Sequence, residues 1–397
     1  MRLNPALLST DIPPIPEARR WLEGLEFTDN RPLLNVSQAA PTEPPPEPLR
    51  RHIADIALNL PEAHLYGDVL GLQDLRDAVG SEWRKSYGGQ VTAGNVAITP
   101  GCNQAFVATL TALAGPGDEV ILPTPWYFNH KMALDMASVA TVPLTCGGDL
   151  LPDPEKAASL ITDRTRAIVL VTPNNPTGVE YPADLIAAFR DLARNHGVAL
   201  ILDETYRDFH AAEGAPHDLF RDPDWHETVI DLYSFSKTYR LMGHRVGAIV
   251  ASETILAEIE KVQDTQVICA SQIGQRAALW GMQNLTDWCA EERAEILRRR
   301  AQLKASFADL PGWDVRGLGA YFAFVTHPYD APSADVARML VREAGLLTLP
   351  ATMFAPESDP IRQKALRIAF ANISSDDIRE MAHRLDGLGD RAGLALV

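Results

Sequence analysis

Apolar residues run continuously, without alternation, through six short stretches: Val96–Thr99, Glu119–Leu122, Ala167–Val171, Ala199–Leu202, Val229–Tyr233 and Val246–Val250. Alternation marks a strand with one wet face, whereas unbroken runs of this length mark strands buried on both faces, as in parallel sheets. Between the runs, Asn103–Leu113, Ala183–His196 and Ser252–Val262 carry apolar residues at helical spacing. Strand and helix in alternation predict an α/β fold built on a parallel sheet. From about Asp287 the texture changes to a long charged helix (Asp287–Leu310), strand-like pieces at Tyr321–Val325 and Ala365–Ala371, and a last helix from Ser375. That is the pattern of a smaller α+β unit.

The proline cluster Pro41–Pro48 can be neither helix nor central strand and reads as a connector. A chain of 397 residues is also too long for one small core. The expected division is a large domain at 46–286 and a small domain at 287–397 that shares its side of the molecule with an N-terminal arm, residues 1–45.

Each apolar run is followed by a polar, turn-forming tail: Thr-Pro-Gly-Cys-Asn at 99–103, Pro-Thr-Pro-Trp-Tyr at 123–127, Thr-Pro-Asn-Asn-Pro-Thr-Gly at 172–178, Asp-Glu-Thr-Tyr at 203–206 and Ser-Phe-Ser-Lys at 234–237. Open parallel sheets bind ligands outside the carboxyl ends of their strands, so these tails are expected to meet in one cleft.

Composition narrows what the cleft can hold. Asp and Glu total 52 against 36 Lys and Arg, a formal charge of −16, which argues against nucleic acid or an anionic membrane as the main partner. Any anionic ligand must be held by a local site. Cys102, Cys146, Cys269 and Cys289 form neither a C-x-x-C pair nor a zinc spacing, so reduced cysteines in a cytoplasmic protein and no metal centre are expected. No stretch is apolar for long enough to serve as a signal peptide or a membrane span. No G-x-G-x-x-G follows a strand, which disfavours a nicotinamide dehydrogenase.

Lys237 follows an apolar run in SFSKTYRLMGHRVG, and Arg245 comes eight residues later, before the next run. A lone S-x-S-K would more simply be a surface lysine after an edge strand. With the arginine at this distance, the stretch resembles the Schiff-base signature of the class I/II aminotransferases, fold-type I pyridoxal-phosphate enzymes of the aspartate aminotransferase superfamily. The resemblance implies a mainly parallel seven-stranded sheet between helices and a smaller α+β domain. It further implies that Lys237 binds the cofactor aldehyde, that Ser234 and Arg245 hold its phosphate, and that Ser236 lies beside it. A planar guanidinium suits a phosphate because it donates two parallel, charge-assisted hydrogen bonds.

The other tails extend the match. Asp203 closes an apolar run in LILDETYRDF, where an unpaired carboxylate would be costly to bury. It reads equally as a helix N-cap or, by the family pattern Asp-x-x-Tyr, as the partner of the protonated pyridine nitrogen, with Tyr206 bonding the ring hydroxyl. PNNPTG at 173–178 is good turn chemistry and also resembles the family turn whose asparagine, Asn175, contacts the ring hydroxyl and the substrate carboxylate. TPGCNQAF at 99–106 puts glycine where strand becomes helix, so the N–H groups of Gly101, Cys102 and Asn103 can cradle a phosphate. HLYGDVLGLQDLR makes Tyr66 either a packing aromatic or the tyrosine that the family lends to the partner's phosphate site, which implies a homodimer with shared sites. PTPWYFN offers two platforms for the ring; the family match selects Tyr127, and Trp126 stays open. ALRIAFAN resembles the strand whose arginine, Arg367, binds the substrate α-carboxylate, though alone it would read as a surface arginine on an edge strand.

Two departures bear on specificity. The family often has glycine near Ala39, where backbone meets the substrate carboxylate. VQDTQVICAS has no Arg or Lys after Lys261, and the phosphate turn has Asn103 where a lysine could serve, so a strict aspartate preference is not implied. The expected reaction is ping-pong transfer of an amino group from an L-amino acid to a 2-oxo acid. The alternatives are a carbon–sulfur β-lyase or decarboxylase on the same scaffold and, further off, a non-catalytic cofactor-binding sensor. Such sensors carry an N-terminal DNA-binding module, for which the proline-rich residues ahead of the main domain are too few.

Overall fold

The protein is described by a computed structural model that covers residues 1–388; residues 389–397 of the expected small domain lie outside the described residues. The apolar runs form the large sheet: β1 (Val96–Thr99), β2 (Glu119–Thr124), β3 (Ala140–Thr145), β4 (Thr165–Val171), β5 (Ala199–Asp203), β6 (Val229–Ser234) and β7 (Gly247–Val250). Their order across the seven-stranded sheet is β1-β7-β6-β5-β4-β2-β3. Helices cover both faces, and two apolar cores form, one around Trp83, Phe189 and Tyr233, the other around Phe106, Leu134 and Ile249. Strand β3 carries no continuous apolar run because it is an edge strand with mostly exposed or half-buried side chains.

One run departs from the parallel reading. Strand β7 is antiparallel to both β1 and β6. A parallel connection needs a crossover, usually a long helix. The chain between β6 and β7 holds only the short helix Phe235–Thr238 and a 3-10 turn, Met242–His244, so it folds straight back. The reversal brings the start of β7, with Arg245 just before it, to the edge where the parallel strands have their carboxyl ends.

The second sheet comprises β8 (Asp314–Gly319), β9 (Phe322–Thr326), β10 (Leu349–Pro350) and β11 (Ala365–Ala369), antiparallel in the order β10-β11-β9-β8. Its own core, with Phe322, Leu340, Ile368 and Met381, is covered by the helices Thr286–Ala308, Ser333–Ala344 and Ser375–Leu385. The arm is stitched to this unit: Leu34–Asn35 pair in parallel with Leu346–Leu347, and Val36 O accepts a hydrogen bond from Ala369 N at 2.8 Å.

The turn after β4 brings the backbone of the large-sheet unit close against the second sheet. Asn174 Oδ1 accepts from the Thr177 N–H (3.1 Å) and hydroxyl (2.8 Å), and the Gly178 N–H returns to Asn174 O at 2.7 Å. Gly178 has φ 76°, and a Cβ there would overlap the Phe322 carbonyl oxygen and the Gly319 N–H. Both backbone conformation and space demand glycine. Gly178→Ala is therefore expected to lower stability by ~2–4 kcal/mol. Urea unfolding checks this, and a loss below ~0.5 kcal/mol would show that the approach is not tight.

Candidate active site

The tails meet in a cavity of about 340 Å³ lined from both sheets and the arm. At its base, the helix Cys102–Leu113 starts at Gly101, whose φ of 91° turns the chain from β1 into the helix. The Gly101 N–H is not free for a ligand, contrary to expectation: it donates to Thr99 O at 2.7 Å, and Gly101 does not border the cavity. Its contribution is the absence of a Cβ, which would collide with the Arg245 guanidinium. Cys102 and Asn103, both bordering the cavity, present N–H groups from the first helical turn, which has no intrahelical acceptors for them. Arg245 stands opposite, with Nη1 donating to Met242 O (2.9 Å) and Ser236 Oγ (3.4 Å). Ser234 Oγ caps the short helix Phe235–Thr238 by accepting from the Ser236 N–H at 3.3 Å, which leaves its own proton to donate. Helix N-terminus, guanidinium and hydroxyls together fit a phosphate.

The middle wall is acidic and aromatic. Asp203, at the end of β5, is buried, and Oδ1 accepts from the Thr205 N–H at 3.0 Å while Oδ2 faces His130 Nε2 at 3.2 Å. Burial pushes the Asp203 carboxyl up, but the His130 contact and the Thr205 hydrogen bonds outweigh it and hold the carboxyl below its ordinary value. His130 has no motif in the sequence. It reaches Asp203 only because the helix Phe128–Met136 turns it inward, onto Phe106 with ring centroids 3.9 Å apart. The choice between the two platforms is made by packing. Trp126 sits in the core behind the wall, whereas Tyr127 borders the cavity. The Tyr127 hydroxyl donates to Asn103 Oδ1 (3.2 Å) and accepts from Asn129 Nδ2 (2.8 Å), and burial followed by the Asp203 charge pushes it up to about 12. Tyr206 lines the wall beside it, its hydroxyl raised well above the ordinary value, chiefly by burial.

At the far end Arg367 on β11 is 2% exposed and lies against the rings of Phe354 and Phe322, at 4.9 and 5.1 Å. Its Nη1 donates to Asn175 Oδ1 at 2.8 Å, its Nη2 donates to Ser37 O, and its Nε has no partner. Burial drops its pKa to about 10. A buried cation with an unused N–H calls for an anion. Lys237 lies between these groups. Its Nζ donates to Ala39 O and stands 5.7 Å from the Tyr206 ring. Burial, then the charges of Arg367 and Arg245, lower it to about 8, with Asp203 opposing.

The structure thus brings Cys102, Asn103, Tyr127, Asn175, Asp203, Tyr206, Ser234, Ser236, Lys237, Arg245, Arg367 and Ala39 to one cavity. It does not bring Tyr66, which is 80% exposed and does not border this cavity. Sequence reasoning missed His130 and the Ser37 carbonyl, which become neighbours of the site only through packing.

Residues 31–385 match the model of the class I and II aminotransferases, and the chain belongs to that family. Enzymes of this family move amino groups with pyridoxal phosphate, and the phosphate cradle, the buried acid and the aromatic wall fit that cofactor. The chain is 28% identical to an aromatic aminotransferase, ISS1, of Arabidopsis thaliana over 96% of this chain and 95% of that one. It is 27% identical to an aspartate aminotransferase of Pyrococcus horikoshii, with 80% of this chain and 81% of that one covered. Among solved structures, an aspartate aminotransferase of Thermus thermophilus, determined with maleate, superposes with a TM-score of 0.87 at 24% identity, covering 98% of this chain and 100% of that one.

An amine held near 8 reacts with aldehydes in its neutral form, so capture should switch on with rising pH. Covalent incorporation of an aldehyde at Lys237 of cofactor-free protein, trapped by borohydride and read by mass spectrometry, is expected to rise with a midpoint near 8. A midpoint at the ordinary lysine value would contradict the influence of burial and the two guanidinium groups.

Proposed function

We propose that Lys237 carries the cofactor and is the group that moves the proton during ping-pong transfer from an L-amino acid to a 2-oxo acid. The observation that carries this reading is the position of Nζ: it borders the same cavity as Asp203 and Arg367 and donates to Ala39 O, with its pKa lowered by desolvation and the nearby guanidinium charges. Bound pyridoxal phosphate supplies an aldehyde that takes up the amino group and a ring that accepts electrons from the substrate α-carbon. Arg245, Ser234, Ser236 and the N–H groups of Cys102 and Asn103 would hold the phosphate. Asp203, steadied by His130, would keep the ring nitrogen protonated, and its low pKa suits a carboxylate that stays ionised. Tyr127 would cover the ring face, and Tyr206 and Asn175 would bond its hydroxyl. Arg367, oriented by Asn175, would clamp the substrate α-carboxylate, with the backbone at Ala39 closing over it.

On this reading residues 46–286 form the cofactor domain, and 1–45 with 287–397 form the part that closes on it. The working unit is a homodimer in which the partner's Tyr66 completes the phosphate site; Tyr66 is exposed beside the exposed Leu65 and Leu58, as an interface residue would be in one chain alone. No helix among the described residues is long and apolar enough to cross a membrane, and the four free cysteines suit the cytoplasm.

Wild-type protein given cofactor should show a visible absorption band that borohydride removes, and Lys237→Ala should lose both the band and at least ~10³-fold of transamination. A wild type that stays colourless would overturn the reading. Arg367→Lys should raise KM for the donor by ~10–100-fold, because a point charge replaces a two-pronged hydrogen bond. Tyr66→Phe should speed cofactor loss on dialysis by ~10-fold; unchanged retention would remove Tyr66 from the site.

A further inference from the structure

Once the groups that would hold phosphate, ring and α-carboxylate are set aside, the remaining wall of the cavity belongs to Ile15, Gln38, Ala40, Phe128, Asn129, Val171 and Thr205, with Met242 toward the phosphate end. All are uncharged. Lys237, Arg245 and Arg367 are the cations among the described residues that border the cavity, and each already has a role. Arg19, on the arm helix Pro14–Arg20, does not border the cavity. It is withheld from the cavity: its Nη2 donates to Gln38 Oε1 at 2.7 Å, and Gln38 faces the space in its place.

The apolar part of this wall lies beside the carboxylate clamp. The Phe128 ring is 5.9 Å from the Arg367 guanidinium carbon. Phe128 packs with Phe354, Leu349 and Leu347, and the arm helix lays Ile15 and Ala18 over the same cluster. An amino acid whose carboxylate reaches Arg367 and whose α-carbon faces Lys237 must send its side chain past Ile15 and Phe128. A second carboxylate there would leave water and meet no cation among this chain's described residues that border the cavity beyond those already engaged, whereas an apolar side chain would gain contact on both sides.

Resting on the functional reading above, we infer that the amino donor carries an uncharged, apolar side chain, and that Ile15 of the N-terminal arm, with Phe128, determines that choice. The arm is then part of the specificity pocket. The Arg19–Gln38 hydrogen bond ties the Ile15 helix to the later part of the arm, and the pairing of Leu34–Asn35 with Leu346–Leu347 anchors the arm to the small unit.

The test has two independent arms. In the first, cofactor-loaded protein is mixed with single donors, and kcat/KM for loss of the visible band is measured for phenylalanine, methionine, leucine, alanine, aspartate and glutamate. Phenylalanine, methionine and leucine should exceed aspartate and glutamate by ~100-fold. Ile15→Ala should cut the phenylalanine-to-alanine ratio by ~10-fold, and Ile15→Arg should shift the phenylalanine-to-aspartate ratio toward aspartate by at least as much. An intact band and unchanged circular dichroism serve as the folding controls. In the second arm, calorimetry compares 3-phenylpropanoate with maleate, without turnover; the apolar acid should bind at least ~10-fold more tightly. Aspartate or glutamate as the preferred donor, maleate as the tighter ligand, or ratios unmoved by both Ile15 variants would overturn the inference. A protein that never develops the band but selects 3-phenylpropanoate would overturn the amino-transfer reading and uphold the apolar pocket.

Discussion

A lysine amine that shares one cavity with two guanidinium groups is the constraint on which the site depends. In water Lys237 would keep its proton; in the cavity, desolvation and the charges of Arg367 and Arg245 lower its pKa to about 8. Asp203 opposes them, so the amine is balanced between a cationic end and an anionic wall. That balance needs positions from three parts of the chain at once: the tail of β6, the first residues before the reversed β7, and β11 of the other sheet. The antiparallel course of β7 is what makes this possible, since a parallel strand would have carried Arg245 to the opposite edge.

Behind the wall lies a second set of buried charges that holds the tail of β5 in place. Glu204, next to Asp203, accepts from the Tyr87 hydroxyl and meets His217 Nε2 at 3.3 Å. Burial pushes its carboxyl up, but His217 and Arg207 prevail and keep it low. Arg207 is stacked over Trp83 and Tyr87 at 4.2 and 4.7 Å. On the neighbouring strand Asp231 accepts from the Trp83 indole at 2.6 Å, and burial together with the Glu204 charge raises its carboxyl well above the ordinary value. Asp208 accepts from Tyr233 (2.7 Å) and from the hydroxyl of Thr238, the residue after Lys237. The turn bearing Tyr206 and the helix bearing Lys237 are thereby tied to one carboxylate. Such a network favours one arrangement of the two tails, since a displaced partner would leave a buried charge unpaired.

The arm couples the two sheets. It passes from the Ile15 helix over the cavity, offers Ser37 O to Arg367 and Ala39 O to Lys237, pairs Leu34–Asn35 with Leu346–Leu347, and meets the second sheet at Val36. Its proline cluster follows immediately, which keeps residues 41–48 from being absorbed into either sheet. One segment therefore touches the amine, the carboxylate clamp and the apolar wall.

Much of this was legible in one dimension. Short continuous apolar runs bounded by turn residues fit strands buried on two faces, and the polar residues that end them then lie at a sheet edge, so the cleft and many of its side chains follow from period and punctuation. The long charged helix, the strands around Phe322–Thr326 and Ala365–Ala369 and the helix from Ser375 were legible for the same reason. The edge strand β3 was not, because its solvent face removes the apolar run, and neither was the reversal of β7, because a strand reads the same in both directions. His130 and Ile15 lack any local signal: one acts by touching Asp203 across 73 positions of sequence, the other by lying on Phe128 from an arm more than a hundred residues away. The sequence by itself determined which chemistry the strand tails could carry, since that depends on residue type and spacing. Only the tertiary structure decided that Tyr127 and not Trp126 faces the cavity, that the Gly101 N–H is engaged by Thr99 O, and that Arg19 stays outside, because those outcomes are set by which side chains the packed core leaves room for.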